Sequence, residues 1–135
     1  MNARLRPNAS GLHWVRGELD QSLARSRSLI EQHIENTADA LPLQQAFVEL
    51  HQVRGTASMI QCFGISALAE EMKQSLQDLM HHRVPETEAS FSALLGGIVQ
   101  LGDHIDALAE GMDDCALVLQ PAINELRLAR GKTLL

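Results

Sequence analysis

Apolar residues recur at three- and four-residue steps through five stretches of the chain, the spacing that lines one face of an α-helix. The first stretch predicts a helix from about Leu12 to Asn36, capped by Ser10, with Val15, Leu19, Leu23, Ile30 and Ile34 on one stripe and a gap at Arg27. Pro42, whose missing N–H costs nothing in a first turn, opens a second through Phe47, Leu50, Val53, Ala57 and Ile60, with Gly64 as its stop. A third runs from about Ile65 to His82 on Leu68, Met72, Leu76 and Leu79. Pro85, Glu86 and Glu88 read as the proline-led, acidic first turn of a fourth, which carries Phe91, Leu94, Leu95, Ile98, Leu101, Ile105 and Leu108 and ends at Gly111. The fifth, capped by Asp113 or Asp114, extends to about Arg130 with Leu117, Val118, Pro121, Ile123, Leu126 and Leu128, and Pro121 marks a kink or break. No alternating run is bracketed by hairpin dipeptides, so no strand is predicted. The expected class is all-α, an antiparallel bundle of four to five helices joined by short loops.

Length and composition narrow this picture. With 135 residues, 45% apolar and 21% charged, the chain suits one domain with its own core, the bundle occupying about residues 12–130. Aromatics at 3% with no Tyr argue against β-sandwiches and base-stacking platforms. Eleven Lys plus Arg against 17 Asp plus Glu leave a net charge of -6, which opposes a grip on duplex phosphates, so no nucleic-acid partner is expected. Nowhere do about 18 uncharged apolar residues run together, and Met1 to Ser10 has no apolar run behind its two Arg. Neither an export signal nor membrane insertion is expected, and the reading is cytoplasmic. Cys62 and Cys115 match no metal spacing and read as reduced thiols.

Candidate chemistry concentrates between Leu50 and Gly64. On a helical wheel Leu43, Ala46, Leu50, Val53 and Ala57 share the core direction, while His51 falls to one side at about 100°, near Gln44, Gly55, Ser58 and Cys62. Glycine inside a helix costs about 0.5–1 kcal/mol relative to alanine, so Gly55, one turn past His51, implies that bulk is unwanted there. Arg54 places a permanent cation next to His51 around the helix. A neutral imidazole with open space and a nearby guanidinium suits acceptance of a phosphoryl group from a docking protein.

The run His51-Gln52-Val53-Arg54-Gly55-Thr56-Ala57 resembles the H-x-x-[KR]-G signature of the histidine phosphotransfer (HPt) domain. Together with Gly64 and Leu68-Ala69-Glu70-Glu71-Met72, it looks like the HPt-like domain at the start of type IV pilus chemotaxis-like kinases, the ChpA or PilL kind, to which the scaffold FimL is related. The tail Leu126 to Leu135 resembles the passage from that domain into the next, with 131–135 as the junction. The resemblance implies a bundle of HPt type in a two-component phosphorelay, with His51 as phospho-acceptor and Arg54, Gly55 and Ser58 accommodating phosphate and partner. It implies no cofactor and no catalysis of the domain's own, with a histidine kinase catalytic domain and response-regulator receiver domains as partners in control of pili and twitching motility. The glycine thirteen residues after His51, instead of ten, is the spacing of the pilus branch. In the chemotaxis kinase CheA an acidic side chain of the third helix orients the histidine, and Leu76 is expected at the matching position. The Leu76 departure, with the related scaffold FimL lacking the acceptor histidine in its HPt-like region, makes a non-phosphorylated docking scaffold the alternative implied.

Other groupings read as structural. Asp78-x-x-His81 stands alone where a di-iron bundle needs two such pairs, so no metal site is expected. His81 and His82 suit a helix end, Met59, Met72, Met80 and Met112 suit core filling, and Trp14 suits covering one end of the bundle. Glu70, Glu71 and Lys73 read mostly as a solvated face. Cys62, ~16 Å from His51 along one helix, is too far away for a dyad.

Overall fold

Each periodic stretch forms a helix: α1 (Ala9–Glu35), α2 (Leu41–Met59), α3 (Phe63–Met80), α4 (Glu88–Ala109) and α5 (Ala116–Ala129). They belong to a computed structural model that describes residues 9–114 and 116–135, and among these no strand occurs. The side chain of Ser10, expected to cap α1, and Cys115 lie outside the described residues.

Side-chain pairs fix the directions of the helices. Arg16 meets Asp106 at 2.6 Å near one end of α1 and α4, and the His33 and Phe91 rings lie 5.8 Å apart at the other, so these two run antiparallel. Arg25 on α1 bonds Glu49 on α2, and Ser58 on α2 bonds Ser66 on α3. Met72 of α3 lies against Gly97 of α4. The first four helices therefore alternate in direction. The fifth continues that order. Arg127 and Arg130 reach Glu71, and Arg130 also reaches Asp78, so α5 runs parallel to α3, packed against both α3 and α4.

The stripes converge on one core, with Leu19, Ile30, Leu43, Leu50, Leu68, Met72, Leu76, Leu94, Leu101 and Ile105 fully buried. Each such side chain contributes on the order of 1.5–3 kcal/mol over its exposed state. On α5 the buried set is Leu119, Ala122, Ile123 and Leu126, while the expected Leu117, Val118 and Leu128 face outward. The helix continues through Pro121 without the expected break, giving up one backbone donor. No helix of the described residues is long and apolar enough to cross a membrane.

Several expectations at helix ends are corrected. Gly64 does not stop α2; the chain reverses at Gln61, a non-glycine residue at φ 63°, and Gly64 lies in the first turn of α3. Pro85 and Glu86 precede α4, which starts behind Thr87, whose hydroxyl accepts from Ser90 N–H at 3.1 Å. Glu86 instead meets Nε2 of His33 at 2.6 Å, and the buried His33 takes the inward place expected of Ile34. The Asp114 carboxylate is engaged elsewhere in the fold. It accepts from Gly64 N–H at 2.9 Å and from His104 Nε2 at 2.7 Å, tying the α4–α5 loop to the start of α3. A β-carbon at Gly64 would lie 2.5 Å from that carboxylate, which accounts for the glycine. Gly111 does end α4, at φ 97°. Trp14 is 81% exposed and caps no end of the bundle, and Met59 and Met112 are exposed, leaving Met72 in the core and Met80 at its edge.

Candidate functional site

Leu50, Val53 and Ala57 anchor α2 in the core, and a residue one step beyond Leu50 is thereby turned about 100° outward. His51 occupies that step and is exposed. Its Nδ1 lies 2.9 Å from Nζ of Lys73 on α3. Lys73 is itself 7% exposed, with its ammonium 5.2 Å from the centre of the Phe47 ring and 3.7 Å from the Glu70 carboxylate. The other oxygen of Glu70 holds Arg54 at 3.1 Å. His51, Lys73, Glu70 and Arg54 thus form one polar chain across the α2–α3 face.

Gly55 sits on the same face, and a β-carbon built there meets nothing within 4 Å. Ser58 is exposed, and its hydroxyl is 2.8 Å from that of Ser66. The four residues singled out in the sequence, His51, Arg54, Gly55 and Ser58, accordingly lie along one helix and are at least partly open to solvent.

The third-helix partner of His51 differs from the expected one. Leu76 is fully buried in the core, and Lys73 faces the imidazole instead. The reading of Glu70, Glu71 and Lys73 as a solvated face is also corrected, because α5 covers Glu71 and the His51 side encloses Lys73. Cys62 is not on the flank of His51. The reversal at Gln61 turns it fully inward, where burial, with the Asp114 carboxylate adding to it, pushes its thiol up to about 11. Such a thiol is unsuited to nucleophilic work at neutral pH.

An exposed imidazole with cations at hand and clear space one turn on can take up a phosphoryl group. Among the described residues, no three His, Cys, Asp or Glu side chains gather as a metal site. The family profile of the Hpt domain matches residues 12–111. The chain belongs to the Hpt domain family. Its helical bundle is the Hpt bundle, and α5 lies beyond the matched span. This Hpt domain is also 30% identical over 124 residues to the scaffold protein FimL of Pseudomonas aeruginosa (strain PAO1), a similarity covering 92% of this chain and 22% of FimL. The chain therefore spans about a fifth of the length of that curated relative. No solved structure matches it significantly.

Proposed function

We propose that this Hpt domain is a phosphotransfer module in which His51 accepts a phosphoryl group and passes it to the aspartate of a response-regulator receiver domain. The observation that carries the reading is the exposed His51 on α2 with open space at Gly55 one turn away, within the span of the Hpt match. Arg54 would steady the incoming charge, and Ser58 would border the partner's footprint. Chemistry on the donor and receiver side, including any metal, belongs to those partners, a histidine kinase catalytic domain among them. Likeness to FimL supports a place in a cytoplasmic chemosensory system controlling type IV pili and twitching motility. Residues 12–130 would act as the module and 131–135 as its exit toward a following domain.

Incubation with a cognate kinase and labelled ATP is expected to give an acid-labile, base-stable phosphoprotein. Labelling that persists in His51→Gln would sink the assignment. A second reading, a docking scaffold that carries no phosphate, is favoured by one observation: the partner of His51 is a lysine ammonium instead of a carboxylate. That reading predicts unchanged partner binding and unchanged signalling in His51→Ala.

A further inference from the structure

An ammonium has hydrogens to donate and no lone pair to accept with. The 2.9 Å contact between Lys73 Nζ and His51 Nδ1 therefore requires a lone pair on Nδ1, and a neutral imidazole bonded this way carries its hydrogen on Nε2. The Glu70 carboxylate at 3.7 Å and the face of Phe47, 5.2 Å away at its centre, hold the Lys73 side chain in this place. The nitrogen that holds the lone pair is thus shut behind a side chain only 7% exposed. The other nitrogen carries a hydrogen and has no lone pair with which to attack.

We infer that Lys73 is a positioning residue that holds His51 in the Nε2–H tautomer and so restrains phosphoryl acceptance until its ammonium is drawn away. The functional half of this inference rests on the phospho-acceptor reading above; the tautomer half does not. In the reactive form the ring has lost its Nε2 proton to water and gained one at Nδ1. The Nε2 lone pair then bonds phosphorus, the donor's P–O or P–N bond breaks, and its electron pair leaves with the donor fragment, while the ring hydrogen stays on Nδ1. A charge-assisted hydrogen bond biases the tautomer equilibrium by roughly ten- to hundredfold against that form. A dianionic phosphoryl group arriving at His51 competes for the same ammonium, which supplies the release.

Long-range proton–nitrogen correlation on the ¹⁵N-labelled chain at about pH 8, where an imidazole is ordinarily neutral, reads the tautomer directly. The expected result is an unprotonated Nδ1 and a protonated Nε2 in the wild type. In Lys73→Gln, whose side-chain carbonyl can accept from Nδ1–H, and in Lys73→Met, which has no donor, the Nδ1–H form should gain population. Phosphorylation by phosphoramidate, a kinase-independent donor that releases ammonia, should then be roughly tenfold faster or more in both variants, with unchanged circular dichroism. An Nδ1–H tautomer in the wild type would overturn the inference, as would the wild-type tautomer mixture in both variants or slower phosphorylation in both. If the tautomer shifts as expected but His51 takes no phosphate in any of the three proteins, the hold by Lys73 stands and the phospho-acceptor reading fails.

Discussion

Gly55 has no steric reason to be glycine within this domain, since an added β-carbon meets nothing within 4 Å. On backbone propensity alone Gly55→Ala should raise unfolding stability by about 0.5–1 kcal/mol, seen as a higher urea midpoint. If the open space serves a partner, the same variant should slow phosphoryl exchange with a receiver domain; greater stability with unimpaired exchange would count against that use. His51, Arg54 and Gly55 were legible in the sequence because their relation depends only on the turn of one helix. Lys73 was not, because its meeting with His51 depends on how two helices are set against each other.

That setting is decided at the hairpin between α2 and α3, whose axis passes near Cys62. His51 and Lys73 lie eleven residues to either side of it, and Ser58 and Ser66 lie four to either side; both pairs touch. The position expected to match the orienting acid, Leu76, lies three residues past Lys73 and faces the core. No glycine marks the true turn, since Gln61 adopts the left-handed conformation itself. Gly64 instead makes room for Asp114, a contact between distant parts of the chain that local pattern does not reveal. Asp114→Ala would leave Gly64 N–H and the buried His104 without their shared acceptor. It should cost about 2–3 kcal/mol in a urea melt, and faster amide exchange should appear at the first turn of α3. A loss below about 0.5 kcal/mol would show that the tie between loop and helix is incidental.

Across the whole molecule the five helices and most of the core were readable from periodicity, whereas the seating of α5 was not. A short helix with apolar residues on several sides, Leu117, Val118 and Leu128 among them, does not declare its buried face. Charge decides the matter: Arg127 and Arg130 bring α5 alongside α3 by meeting Glu71 and Asp78. Burial pulls the Asp78 carboxyl up, but hydrogen bonds from Arg83 and Arg130 outweigh it and hold it below its ordinary 3.8. Asp114 is likewise raised by burial and lowered further by His104 and the Gly64 N–H, and Glu49 is lowered by its bond from Arg25. Carboxyls depressed in the folded state contribute stability that is fully present above their unfolded values, 3.8 for the two aspartates and 4.5 for Glu49, and lost as pH falls through the folded ones. Urea unfolding should therefore show a loss of stability beginning as pH drops toward 4.5 and steepening below 3.8. A flat profile through that range would mean that these ion pairs do not bind α5 and the loops to the bundle.

The central claim, that His51 is where this domain takes up phosphate, is tested most directly by labelling with a cognate kinase and ATP followed by mapping of the modified residue. One acid-labile, base-stable phosphoryl group on His51, absent from His51→Gln, is the predicted result. Equal labelling of the His51→Gln protein, or none in the wild type beside a kinase shown to phosphorylate itself, would contradict it.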